Sequence, residues 1–280
     1  MALPFVPSDA GLLALQAAVV AAPRAAPTLP QLARLRGPGW ALVPVGSIVA
    51  VVFAIRFVSD TATGLTYLAL FAVPPLAAAA LAWAVRGGSA TPQRTRIAAS
   101  VALTTVLFAV AWGWHRSLAG ETAAALLSAL SCVTLGVLLA AVAPPGWLKL
   151  GIVAMALADT WLVASDLLQA PNATLVAAQP PAGLPQLQSE IFGSVSMGYG
   201  DLFVAALLGG VLARDRHKQL TAALLTFALA AVFDLLFLVV AELPATVPVA
   251  LALIALEARE RFSAGSRPWM RGGAIPRQAR

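Results

Sequence analysis

Residues 122–143 read TAAALLSALSCVTLGVLLAAVA and contain no charged side chain. At a rise of about 1.5 Å per residue, a helix of this length crosses the roughly 30 Å hydrocarbon core of a lipid bilayer. Inside hydrocarbon every backbone N–H and C=O group must form its hydrogen bond within the protein. A single long apolar segment can form all of these hydrogen bonds internally as a helix. The stretch therefore predicts a transmembrane helix.

Apolar runs of the same kind recur along the whole chain. We predict eight spans, near residues 41–59, 65–85, 97–114, 122–143, 148–168, 195–213, 219–240 and 243–258. A shorter apolar segment at residues 10–22 is either a ninth span or a helix that lies on the membrane surface. The predicted fold class is all-α, a polytopic transmembrane helix bundle.

Composition agrees with a membrane protein and argues against a soluble one. Of the residues, 60% are hydrophobic and only 11% are charged, whereas soluble domains carry about 25% charged residues. The chain has too few charges to cover a surface that faces water. Its basic residues are almost all arginine and alanine is abundant, which is typical of a GC-rich bacterial genome and predicts a bacterial cell membrane.

The distribution of charge predicts the orientation of the chain. With the segment 24–36 placed inside, the basic residues collect on the inner side: Arg24, Arg34, Arg36, Arg86, Arg94, Arg96, Lys149, Arg214, Arg216, Lys218 and the arginines from residue 259 onward. The outer loops instead hold mostly acids, namely Asp60, Glu121, Glu190 and Glu242, with Arg116. This pattern follows the positive-inside rule and places the C-terminus in the cytoplasm. The net charge of +6 thus forms a cytoplasmic rim, and we expect no nucleic-acid partner.

These features divide the chain into four parts. Residues 1–40 form an N-terminal segment with a basic linker, and residues 41–143 form an N-terminal membrane part of four helices. Residues 144–258 form a second membrane part that carries the candidate motifs. Residues 259–280 are a basic cytoplasmic tail.

Charged side chains inside predicted spans are costly and usually functional. Four aspartates occupy such positions: Asp159, Asp166, Asp201 and Asp234. Asp201 ends the sequence Gly198-Tyr199-Gly200-Asp201, in which two glycines allow close backbone approach just before an apolar helix. From these residues alone, an acid that favours a helix N-terminus and an acid that serves a reaction are equally good explanations.

The wider context resembles a known family. Gly198-Tyr199-Gly200-Asp201 followed by an apolar helix resembles the second catalytic motif of the presenilin and signal peptide peptidase family, the GxGD intramembrane aspartyl proteases. The preceding predicted helix contains Ala158-Asp159 and Val163, which is similar to the first motif, although an aromatic residue is common where Ala158 stands. Pro244-Ala245-Thr246 resembles the third motif, Pro-Ala-Leu, with threonine in place of leucine. The resemblance covers roughly residues 150–258.

The resemblance implies a site and a reaction. Asp159 and Asp201 are the expected catalytic acids, Gly198, Tyr199 and Gly200 support the motif, and Pro244, Ala245 and Thr246 are expected to bind substrate. Two carboxyls held close together cannot both ionise, so they share one proton and activate water for attack on a peptide carbonyl. The expected substrate is a transmembrane-helix protein or peptide within membrane lipid. We expect no cofactor and no metal ion. The predicted topology corresponds to the signal peptide peptidase orientation.

Other interpretations stay open at this point. Asp234, and after it Asp166, are alternative partners for Asp201. A proton-coupled transporter would use the intramembrane aspartates as a relay, and a catalytically inactive relative would keep them without a reaction. A prepilin-peptidase-like enzyme also carries GxGD, but it usually has lysine soon after the aspartate, where this chain has Leu202 and Phe203.

Overall fold

The computed structural model of the protein describes residues 7–25, 61–84, 92–165, 173–174, 177–178, 180–193, 195–238 and 243–265. This part of the chain is mostly helical. Its helices are α1 (Pro7–Ala21), α2 (Thr61–Ala84), α3 (Gln93–Gly113), α4 (Leu118–Val142), α5 (Pro145–Ala164), α6 (Tyr199–Leu212), α7 (Arg216–Phe233) and α8 (Thr246–Gly265). Two strands, β1 (Ser189–Phe192) and β2 (Val195–Gly198), form an antiparallel hairpin. Short 3₁₀ helices occupy Pro181–Gly183 and Asp234–Leu238.

Within the described residues, five helices are long and apolar enough to cross a membrane. They are α2, α3, α4, α5 and α7 together with its 3₁₀ extension. They overlap the spans predicted at residues 65–85, 97–114, 122–143, 148–168 and 219–240. The span predicted at residues 41–59 lies outside the described residues.

The β-hairpin departs from the all-α expectation. Residues 195–213 were expected to form one span, but α6 begins only at Tyr199 because Val195–Gly198 pairs with Ser189–Phe192. Gly193, with φ +62°, makes the turn between the strands, a conformation that glycine adopts without strain. The backbone groups of residues 195–198 thus form their hydrogen bonds with the neighbouring strand instead of within a helix.

Helix α6 is the buried centre of the bundle. Nearly every residue from Leu202 to Gly209 is buried, as expected for a helix that is apolar on all sides. Glycines allow its close contacts: a Cβ added to Gly210 would lie 2.6 Å from the Gly136 carbonyl oxygen of α4, and one added to Gly209 would lie 2.3 Å from the Val20 carbonyl oxygen of α1. Small residues at helix contacts permit this kind of backbone approach in membrane bundles.

Helix α1 belongs to the bundle rather than to its surface. Leu12, Val19 and Val20 are buried in the main apolar core, and the helix packs against α6 and α7. Whether this helix spans the membrane or lies at its surface stays a prediction; in either case it packs against the bundle.

Helix α8 lies antiparallel to α5. Lys149 near the start of α5 forms an ion pair with Glu257 near the end of α8, while Asp159 late in α5 meets Thr246 at the start of α8. Both ends of this helix pair are therefore connected by polar contacts. The second connection leads directly to the candidate site.

Candidate functional site: a cluster of acids at the start of α6

The two aspartates predicted from the motifs come from neighbouring helices. Asp159 lies one turn before the end of α5, and Asp201 is the third residue of α6. Helices α5 and α6 pack against each other, and the carboxylate of Asp159 interacts electrostatically with that of Asp201. Both side chains are partly exposed. The structure thus places the two carboxyls close enough to interact electrostatically.

Thr246 contacts Asp159 directly. Its hydroxyl Oγ1 donates a hydrogen bond of 2.6 Å to Oδ2 of Asp159, and the residue is only 4% exposed. A hydrogen bond to an ionised carboxylate is stronger than one between neutral groups. Thr246, expected from the family resemblance to bind substrate, therefore holds one of the two acids in place.

Helix α1 contacts the Pro244-Ala245-Thr246 motif through Gln16. The side-chain amide Nε2 of Gln16 donates a 2.9 Å hydrogen bond to the carbonyl oxygen of Ala245, and Gln16 is 1% exposed. The contact fixes the backbone just before Thr246. Gln16 did not appear among the sequence-predicted residues, although a lone glutamine within an apolar segment is a visible signal. Pro244 precedes this contact and is partly exposed.

Asp201 is fixed by its own motif. Its Oδ2 accepts a 3.0 Å hydrogen bond from the backbone N–H of Gly198, so the acid caps the first turn of α6, where the helix dipole favours negative charge. A Cβ on Gly198 would lie 3.2 Å from this oxygen, whereas a Cβ on Gly200 would meet nothing within 4 Å. Gly198 leaves room for the acid, and Gly200 faces open space.

Tyr199 anchors the motif to α4. Its hydroxyl shares a 2.7 Å hydrogen bond with Oγ of Ser131, and its carbonyl oxygen accepts from Sγ of Cys132 at 3.8 Å. Ser128, Ser131 and Cys132 follow helical spacing and face the same side of α4. Sequence reasoning missed this polar face, although three small polar residues at such spacing within an otherwise apolar helix could have revealed it.

Glu190 is a further acid at the site. The sequence placed it in an outer loop without predicting its burial. In the structure it is 1% exposed, and neither carboxylate oxygen has a hydrogen-bond partner within the described residues. Strand β1 carries the residue inward against α4. Burial, and secondly the negative charge of Asp201, raise the pKa of Glu190 from 4.5 to about 8.

Asp234 pairs with a different acid. Its carboxyl group is hydrogen-bonded to that of Asp9 in α1, and the two residues are 4% and 6% exposed. The charges that act on Asp201 come instead from Asp159. The structure therefore pairs Asp234 with Asp9 and not with Asp201. Asp166, the other alternative acid, lies outside the described residues.

The described residues contain no group of three or more His, Cys, Asp or Glu side chains that could hold a metal ion.

Comparison of the chain with protein-family models, with curated proteins and with solved structures gives no match. The site is thus interpreted from its own geometry and from the motif resemblance.

Proposed function

We propose that this protein is a polytopic membrane protease in which Asp159 and Asp201 activate water to cleave transmembrane helices. The observation that carries the proposal is the meeting of these two aspartates, from adjacent apolar helices, within electrostatic reach of each other. The resemblance of their motifs to those of GxGD intramembrane aspartyl proteases supports the same assignment. Each acid has a dedicated hydrogen-bond donor that fixes its orientation.

The chemistry follows from two acids that share one proton. The ionised carboxylate accepts a proton from water as the water oxygen attacks the peptide carbonyl carbon, and the protonated carboxyl donates to the carbonyl oxygen. The resulting tetrahedral intermediate loses the amine after a proton reaches the amide nitrogen, which breaks the C–N bond. In this proposal, neither a metal ion nor a cofactor is needed.

The substrate would approach along the open side of α6. Gly200 leaves free space next to Asp201, and the hairpin that leads into the motif has strand edges to which an extended peptide can add. Such a peptide must be locally unwound, because the carbonyls of a helix are hydrogen-bonded and shielded. In this arrangement Pro244 and Ala245 line the approach, and Thr246 acts on Asp159 rather than on the substrate.

The proposal includes a location and an orientation. We place the chain in a bacterial cell membrane with eight or nine spans, because the apolar helices alternate with basic inner loops in the sequence. The C-terminal tail then lies in the cytoplasm, and the hairpin with Asp201 lies toward the opposite side. Fusion of reporter domains to the C-terminus and to the 169–193 loop tests this orientation.

Separate Asp159→Asn and Asp201→Asn variants test the reaction. Each should lose at least about a thousandfold in cleavage of a reporter transmembrane helix, because each removes one member of a unit that works only as a pair. The matched control is Asp215→Asn, since Asp215 caps α7 through the backbone N–H of Lys218 and asparagine caps equally well. Cleavage retained by either site variant would reject the two-aspartate mechanism.

A second candidate function is proton-coupled transport, favoured by the buried Asp9–Asp234 pair. Buried acids that share a proton between helices are common in proton relays. Under this alternative the wild-type protein would not cleave the reporter, and uptake driven by a pH gradient would depend on Asp234. Absence of both activities would indicate a catalytically inactive relative.

A further inference from the structure

Glu190 has an unusual position for an ionisable residue. Among the described glutamates it is the only one that is buried. It lies on β1 directly opposite Met197 of β2, and Met197 is packed in the main apolar core. Directly opposed residues of an antiparallel pair point to the same face, so Glu190 faces the helices rather than water.

Two donors lie near the Glu190 carboxyl, the Ser128 hydroxyl and the backbone N–H of Glu190 itself, but neither meets the geometry of a hydrogen bond to it. The Ser128 hydroxyl lies beside the carboxylate, yet it donates its hydrogen to the Leu187 carbonyl oxygen at 3.2 Å. Both carboxylate oxygens therefore remain without a partner in the described part of the chain. A buried carboxylate without donors is costly, and the neutral acid is the form that such a place favours.

The titratable groups around Glu190 can be named for each neighbouring element. Helix α6 contributes Asp201 and Tyr199, and α4 contributes Cys132. Strand β2 carries no titratable side chain. The titratable group of α1 is Asp9, which is engaged with Asp234. Within the described residues, no basic side chain of these elements faces Glu190 to stabilise its ionised form.

We propose that Glu190 is a third carboxyl of the acid site, a positioning residue that holds a proton beside Asp201 and keeps the hairpin packed against α4. This inference rests on the proposed function for its effect on cleavage, but the protonation of Glu190 is independent of that function. Glu190 does not contact the reacting atoms. It acts through the hairpin, which leads directly into the Gly198–Asp201 motif.

The proposal predicts the sign of a pH effect. Because the pKa of Glu190 is raised from 4.5 to about 8, its contribution to the packed hairpin is complete below pH 4.5 and is lost as the pH rises through about 8. Ionisation then places an unpartnered negative charge in the pocket, which displaces the hairpin or admits water. Either change disturbs Asp201, so cleavage should fall above this pH.

The Glu190→Gln variant tests the effect on cleavage. Glutamine is neutral at every pH, so the variant should lack the alkaline step, and the ratio of its rate to the wild-type rate should rise about tenfold per pH unit above pH 8, as for a single ionisation. The matched control is Glu121→Gln. Glu121 also contacts the hairpin, because it accepts a hydrogen bond from the backbone N–H of Gly193. Unlike Glu190, it is partly exposed and has this hydrogen-bond partner. A ratio that stays flat for Glu190→Gln would overturn the proposal.

Infrared spectroscopy of the wild-type chain provides a second test that needs no substitution. In full-length protein with ¹³C-labelled glutamate carboxyls, reconstituted in lipid nanodiscs, the C=O band of a protonated glutamic acid should be present at pH 7 and vanish with a midpoint near pH 8. Glu257 and Glu260 form ion pairs with Lys149 and Lys218, so Glu257→Gln and Glu260→Gln samples show whether either contributes to the band. A Glu242→Gln sample checks that the band does not come from Glu242.

The two experiments separate the inference from the proposed function. If the glutamic acid band titrates but the protein never cleaves the reporter, the protonation of Glu190 is supported and the proposed protease function is rejected. Cleavage without such a band at pH 7 would keep the protease and reject the role of Glu190. If Glu190→Gln fails to fold, the labelled wild-type spectrum decides, and absence of the band overturns the proposal.

Discussion

Two pairs of neighbouring acids lie within the described residues, and they differ in what surrounds them. Asp159 and Asp201 are partly exposed and lie beside the open space at Gly200. Asp9 and Asp234 are almost fully buried between α1 and the end of α7. Two carboxyls placed close together in an apolar setting disfavour each other's ionised form. Only the first pair has an open side.

The hydrogen bonds of the two pairs differ as well. Asp159 and Asp201 each accept a bond from a separate donor, the Thr246 hydroxyl and the Gly198 backbone N–H. Asp9 and Asp234 bond to each other, and Oδ2 of Asp234 has no partner within the described residues. External donors can hold an ionised carboxylate in a fixed direction. The first pair is therefore held by donors outside the pair, whereas the second pair links α1 to the end of α7.

The largest expected difference comes from removing one acid of each pair. Asp234→Asn should keep cleavage of the reporter within about threefold of wild type, because asparagine can still hydrogen bond to Asp9 and the site at α6 is untouched. Asp201→Asn should abolish cleavage. The measurement is the initial rate of reporter cleavage by equal amounts of folded protein. A thousandfold loss in Asp234→Asn would assign the reaction to the other pair.

A smaller effect is expected when a donor of the first pair is removed. Thr246→Val keeps the shape of the side chain but removes the hydroxyl that binds Asp159, and a lost bond to a charged group corresponds to about a 10- to 100-fold slower reaction. Thr246→Ser restores the hydroxyl and should recover most of the rate. The loss should appear in kcat rather than in KM, because the bond orients an acid and does not bind substrate.

Thr160 offers a matched control for this substitution. It follows Asp159 in α5, but it is exposed, and its hydroxyl donates to the Ala156 carbonyl oxygen of its own helix. Thr160→Val should therefore leave the cleavage rate near that of wild type. Equal losses in the two valine variants would mean that the hydroxyl of Thr246 has no special role.

The smallest expected effects distinguish the two glycines of the motif. Gly198→Ala places a Cβ 3.2 Å from Oδ2 of Asp201, and a shift of a few tenths of an ångström should slow cleavage several-fold. Gly200→Ala meets no atom and replaces a helical glycine, so it should raise the thermal midpoint slightly. If Gly200→Ala slows cleavage without loss of stability, the substrate occupies the space beside Gly200. An unchanged rate would mean that the substrate binds at a different place.

Much of the helical framework could be predicted from the sequence, because long apolar runs have few other solutions in a membrane. The run at 122–143 lies within α4 except for its last residue. The motif residues Gly198–Asp201 lie at the start of α6, whereas the predicted span began at residue 195. The short strands were missed because the four residues of β2 directly precede the apolar helix, and the predicted span at 195–213 ran through them. The glycine turn at Gly193 was the available signal.

The surroundings of the acids could not be predicted in the same way. The charge pattern placed Glu190 in an outer loop and gave no information on its burial. A hairpin can carry such a residue inward, and only the pairing of β1 with β2 shows which face it takes. Likewise, the contact of Asp234 with Asp9 depends on how α1 packs against α7. The spacing of residues along one helix shows which of them share a face. Which other helix contacts that face depends on the packing of the whole bundle.

The most direct test of the central claim is whether Asp159 and Asp201 meet in the membrane. In a background in which the buried Cys132 is replaced by alanine, Asp159→Cys combined with Asp201→Cys should form a rapid cross-link with a short thiol reagent in intact membranes. Asp201→Cys combined with Asp234→Cys serves as the comparison and should not react. Efficient cross-linking of the comparison pair, with none between positions 159 and 201, would contradict the account.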